Sequence, residues 1–218
     1  MSLSDAPGFT TDMLPNEELE SGTSILLTGG DTDTLKRVFA SLVAAEDDEY
    51  SVVLATNSGG RAFRQTLDSV KRGAGQNAAI LTCEGPARGD DVTVIDELSD
   101  LTTLGMEFSN LISQVNQTSD GFRSGIFLCS TLVGEVEDTR SVYRFLNTTF
   151  LTDLRRNDGL GVCAVDTSAS LDTDIDSMLT GLETSMSARI DIESSDGDDV
   201  ELTLSGFGPT EKTVTARL

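Results

Sequence analysis

The feature that most constrains this chain is a series of short, continuously apolar runs separated by stretches with helical spacing. The runs fall at residues 24–28, 50–55, 78–82, 92–95, 125–129 and 160–165. A strand that is apolar at every position needs cover on both faces, which is the condition of a parallel sheet sandwiched between helices. Between the runs, apolar residues recur every three or four positions: Leu35, Val38, Phe39, Leu42 and Val43, then Phe63, Leu67 and Val70. Residues 101–117 carry Leu104, Phe108, Leu111, Ile112 and Val115 on one face, and Asp138 is placed to cap a helix bearing Val142, Phe145, Leu146, Phe150 and Leu154. A further short helix is expected over 172–182. From Ala188 onward the texture changes to alternation, with turn signals at Asp196-Gly197 and at 206–209, which predicts antiparallel strands. The expected fold is a three-layer α/β domain over residues 23–218: a mostly parallel sheet flanked by helices, with C-terminal antiparallel strands. An irregular polar arm over residues 1–22 precedes it.

Charge narrows the partners. The chain holds 37 Asp and Glu against 15 Lys and Arg, a formal net charge of −22 over 218 residues. Such a surface repels phosphate backbones and anionic headgroups, so neither nucleic acid nor a membrane is expected as a partner. The acids are dispersed rather than blocked, only three basic residues are lysines, and aromatics are few, which reads as adaptation to high salt. With no histidine, His-based catalysis and His-ligated metals are excluded. Cys83, Cys129 and Cys163 form no CxxC pair and fit a reducing cytoplasm; Cys129 and Cys163 are expected in adjacent core strands as small buried hydrophobes. No apolar run approaches the ~20 residues needed to span a membrane, and the N-terminal stretch has no basic and apolar leader pattern. The expected location is cytoplasmic.

The first run leads through Gly29-Gly30 into a helix, the place where a phosphate-binding loop would lie. That loop needs glycine, four residues, then Gly-Lys and a hydroxyl residue, so that backbone N–H groups wrap the phosphates and the hydroxyl holds magnesium. Counting from Gly29, the Gly, Lys and hydroxyl positions hold Thr34, Leu35 and Lys36; counting from Gly30, they hold Leu35, Lys36 and Arg37. Asp31 and Asp33 add two carboxylates where a polyphosphate would sit. The simplest reading is a strand–turn–helix junction with Thr32 or Asp33 as N-cap. The competing reading is a degenerate cofactor loop of Gly29, Gly30, Thr32 and Lys36, with Lys36 as the phosphate contact. Asp166, at a strand end on the same edge, is expected to cap the following loop. The acidic groups Asp90-Asp91, Asp96-Glu97, Asp172/Asp174/Asp176 and Asp196/Asp198/Asp199 lack a complete calcium-loop pattern, so no metal site is expected. Arg155-Arg156 reads as a complement to a helix C-terminus.

The residues Ser141-Val-Tyr-Arg-Phe-Leu146, Leu154-Arg-Arg-Asn-Asp-Gly-Leu-Gly-Val162 and Ala164-Val-Asp-Thr167 resemble archaeal KaiC-like ATPases of the RecA superfamily. A looser likeness runs from about Ile25 to Ile192. The resemblance implies a RecA-like core with nucleotide at the strand C-termini. It also implies an aspartate ending the 125–129 strand and acidic residues after the second strand. Here those places read Phe127-Leu128-Cys129-Ser130 and Ala55-Thr56-Asn57-Ser58-Gly59. Phosphate cradle, metal ligand and water activator are absent together. The expectation is a KaiC/RecA-like pseudo-ATPase of a haloarchaeal cytoplasm, with no catalytic residue and no cofactor. It would act as a protein-interaction or regulatory module on a KaiC-like paralogue or signalling protein, with homo-oligomerisation left open. The alternatives are a nucleotide-binding sensor or ATPase using Lys36, and a DNA-associated recombination accessory factor.

Overall fold

The computed structural model describes residues 8–86, 91–169 and 175–218. Its sheet has nine strands in the order β4-β3-β2-β5-β6-β1-β7-β8-β9. Seven of them, β1 (Ser24–Gly29), β2 (Glu49–Ala55), β3 (Ala78–Thr82), β4 (Val92–Val94), β5 (Gly121–Phe127), β6 (Leu160–Asp166) and β7 (Ala188–Asp196), pair in parallel. β8 (Asp199–Ser205) adds antiparallel to β7, and β9 (Lys212–Arg217) antiparallel to β8. This is the expected mixed α/β architecture.

Alternation along the parallel strands builds the two covered faces. Ile25, Leu27, Val53 and Ala55 point into one core with α1 (Thr32–Val43) and α2 (Gly60–Val70). Leu26, Val52 and Leu54 point into the other, against α3 (Leu101–Val115), α4 (Cys129–Glu135), α5 (Thr139–Phe145) and α6 (Leu151–Arg156). Met178 and Leu182 of α7 (Ile175–Glu183) join this second core. Gly125 of β5 lets α1 approach closely, since a Cβ there would stand 2.4 Å from Phe39 Cζ.

Three expectations need correction. The strand expected over 125–129 starts at Gly121 and ends at Phe127; Leu128 takes a left-handed conformation (φ 58°) and Cys129 opens α4. The early part was hidden because Arg123 and Ser124 are polar yet fully buried. The single helix expected after Asp138 is two helices joined by a π-helical turn (Leu146–Phe150). The cap of α1 is Asp31, whose Oδ1 accepts from Thr34 N at 2.7 Å, rather than Thr32 or Asp33. Of the helix expected over 172–182, the residues before 175 lie outside the described set, as do part of the Asp172/Asp174/Asp176 group and Asp90.

Residues 8–22 carry no ladder strand or helix, but they are tied down. Phe9 and Leu19 bridge one another, and Phe9, Met13, Leu14 and Leu19 are buried against the α1 side of the core. The Arg123 guanidinium, wholly buried, binds Glu49, donates to Thr10 O (2.7 Å) and Leu42 O (3.2 Å), and lies 5.6 Å from the Phe9 ring. Among the described residues no helix is long and apolar enough to cross a membrane.

Candidate functional site

In an open parallel sheet, ligands bind beyond the strand C-termini where neighbouring strands send their connections to opposite faces. β1 and β6 meet that condition, because α1 follows β1 onto one face and α7 packs on the other. The crevice between them is where the loop of Gly29, Gly30 and Thr32 lies, and Asp166 is the register partner of Gly29.

The chain's own side chains occupy this crevice. Thr32 Oγ1 donates to Asp166 Oδ2 at 2.6 Å, and Ser168 donates to Oδ1 from its backbone N (2.8 Å) and its hydroxyl (2.6 Å). Asp166 N in turn donates to Ser130 Oγ at 3.3 Å, and Thr167 N to Gly29 O at 2.9 Å. Burial pushes the Asp166 carboxyl up, but the hydrogen bonds from Ser168 and Thr32 outweigh it and hold the group below its ordinary range. Asp166 thus caps its loop, as expected, and also ties that loop to the start of α1. The Ser130 hydroxyl carried no sequence signal, 36 positions away, whereas Ser168 stands two residues after Asp166, where an aspartate commonly caps its own loop.

The four candidate loop residues divide. Gly29, Gly30 and Thr32 surround the crevice. Gly29 is small for packing: a Cβ there would meet Ile192 Cδ1 of β7 at 3.1 Å. Lys36 is directed elsewhere, with its ammonium 5.8 Å from the Phe63 ring centroid and 6.0 Å from that of Phe127. Those rings and Phe39 form a cluster with centroids 5.3–5.9 Å apart. The β7–β8 hairpin closes over the first turns of α1, through Thr34 with Ser195 (3.3 Å) and Arg37 with Asp198 (2.8 Å).

The KaiC-like resemblance implies a magnesium nucleotide at these strand ends, and the residues present do not fit one. The end of β5 offers Phe127, Leu128 and Cys129, all buried and none an oxygen ligand through its side chain. Both oxygens of Asp166 already accept hydrogen bonds, and Asp31 is engaged as the α1 cap with its carboxyl lowered chiefly by Thr34. The neighbouring crevice between β2 and β5 is bridged by Thr56, whose hydroxyl donates to Phe127 O at 2.8 Å. No cluster of three or more metal-ligating side chains occurs among the described residues. Cys129 and Cys163 are both fully buried in one core, and contact with Cys129 together with burial raises the Cys163 thiol well above its ordinary range.

Two solved structures from Pyrococcus horikoshii share the fold. A KaiC-like protein, PH0186 of strain OT3, superposes with a TM-score of 0.58 at 16% identity, over 91% of this chain and 84% of that one. An uncharacterized protein, PH0321, solved in complex with an unknown peptide, superposes with a TM-score of 0.60 at 11% identity, over 90% of this chain and 94% of that one. No curated protein is detectably similar in sequence. At these identities the structural likeness establishes a KaiC-like, RecA-type fold. The match of residues 22–197 to a sequence family goes further, and the chain belongs to the Family of unknown function (DUF7504).

Proposed function

We propose that this chain is a non-catalytic KaiC/RecA-type module that works by binding other proteins. The observation that carries the reading is the Asp166–Thr32–Ser168 cluster, which places a satisfied carboxylate and two hydroxyls in the crevice where this fold would hold a nucleotide. A phosphate group entering there would meet the negative charges of Asp166, Asp31 and Asp33. In a partly enclosed site each such contact costs several times the ~1 kcal/mol of bulk water. A peptide bound to the similar P. horikoshii protein is consistent with a protein-binding role for this fold. The acidity fits a salt-adapted cytoplasm, and a KaiC-like relative or signalling protein is the natural class of partner.

The test is thermal melting of the full chain in molar salt with millimolar magnesium ATP. A ligand bound only by the native state raises the melting temperature. We expect no shift and no ATP hydrolysis above background. The sensor reading rests on Lys36, a lysine with no carboxylate partner among the described residues. A nucleotide-dependent rise abolished by Lys36→Ala would establish it and refute the proposal.

A further inference from the structure

A cleft lies away from the strand ends, on the helical layer that covers the other face. It holds about 710 Å³ and runs between α3 and the α5–π-turn segment. Gly105 of α3 sits at its floor, where a Cβ would stand 3.5 Å from Thr149 of the π-turn. A π-turn widens a helix locally and is a frequent companion of functional sites. On the cleft wall stands Met106, 62% exposed and the one large hydrophobic residue that is exposed among the described residues.

The charges at the rim have a net sign. Asp100 lines the cleft, and hydrogen bonds from Thr103 hold its carboxyl below the ordinary range. Two more exposed carboxylates touch lining residues: Glu97 accepts from Ser99 Oγ (3.4 Å) and Asp138 from Ser141 Oγ (3.3 Å). Against these three stands Arg144, which forms no ion pair among the described residues. The molecule behind the cleft carries −22.

We propose that the α3/α5 cleft docks an amphipathic helix of a partner protein, with basic residues toward the Glu97–Asp100–Asp138 rim and an apolar residue on Met106. A helix laid in a groove presents contacts at three- and four-residue spacing, which suits a cleft bounded by two helices. Methionine adapts to varied apolar partners. In molar salt, charge steering fades within ~3 Å, so the apolar contact and close ion pairs must supply the affinity. An acidic partner fails on both scales, meeting the carboxylate rim at contact and the net charge at distance. The proposal rests on the protein-binding reading of the chain.

The experiment uses the full chain and a fluorescent synthetic peptide as long as α3, 15 residues. Its leucines are spaced to form one helical face and its other positions are lysine. The controls are a scrambled peptide of the same composition and a version with glutamate for lysine. We expect the patterned basic peptide to bind about tenfold more tightly than either control. Met106→Asp should abolish that preference, and Arg144→Glu should tighten binding. Thr102→Lys, a second exposed lining position, should weaken binding and stands in if Met106→Asp melts early. Equal binding of patterned and scrambled peptides, or indifference to these variants, would reduce the effect to attraction by net charge and overturn the proposal. So would preference for the glutamate peptide, or a self-association by sedimentation that Met106→Asp dissolves, since a second copy would then own the cleft. A nucleotide-induced rise in melting temperature refutes the non-catalytic reading and leaves the peptide result unaffected, so the two failures are separable.

Discussion

Asp166 illustrates how a single carboxylate can define a crevice. Its two oxygens accept three hydrogen bonds, two from Ser168 and one from Thr32, and each charged-group bond of this kind is worth about 1.5–3 kcal/mol in a protein. Thr32→Val removes one and keeps the shape, so we expect a loss of about 1.5–2 kcal/mol in denaturant unfolding, without change in secondary structure. The linkage to pH follows from the lowered carboxyl. The unfolded group titrates near ~3.9 and the folded one below that, so its stabilisation is complete above ~4 and disappears as pH falls through the folded value. Asp166→Asn should therefore flatten part of the stability loss between pH 4 and more acid conditions, measured by denaturant midpoints in molar salt. An unchanged acid limb in the variant would show that other carboxylates carry that dependence.

At the scale of elements, the N-terminal arm depends on one residue of β5. Arg123 joins the starts of β2 and β5, the end of α1 and the arm through Glu49, Leu42 O and Thr10 O. Removing one member of a buried ion pair strands the other, at about 3–5 kcal/mol. Arg123→Met should lower stability by about that amount. It should also remove hydrogen-exchange protection first from Phe9 and Leu19, whose amides pair across the arm at 2.7 and 2.9 Å. Protection lost uniformly across β1 and β6 as well would mean the arm and sheet open as one unit. Leu128 is the other element-scale feature. A non-glycine residue in the left-handed region costs about 1–2 kcal/mol, and here it lets β5 pass directly into α4 without a loop.

For the whole molecule, the −22 charge is the governing quantity. Self-repulsion acts over ~10 Å at 0.1 M ionic strength but only ~3 Å at 1 M. We expect circular dichroism to show loss of structure on dialysis from molar salt to 50 mM buffer, and recovery on return. A cooperative native melt at low salt would mean that burial of the two cores outweighs the repulsion unaided.

Strand and helix positions were legible in the sequence wherever an element is buried on a regular period. β1, β3, β6 and α1 lie within a residue or two of expectation, because burial on both faces, or on one helical stripe, writes itself into local composition. The early half of β5 was not legible: Arg123 and Ser124 are polar, and the distant Glu49, Leu42 O and Thr10 O make burial of the arginine tolerable. That residues 29–37 lack the glycine, lysine and hydroxyl spacing of a phosphate-binding loop was likewise readable from the sequence alone. The outcome for that segment was not, since Asp166 lies 134 positions from Thr32 and Lys36 is drawn over rings from α2 and β5. The α3/α5 cleft was invisible as well: its Ser and Thr walls read as ordinary helix surface until packing at Gly105 and the π-turn set them apart. Periodic burial is a local property that a sequence records residue by residue; which side chains meet across 100 positions is decided only when the sheet closes.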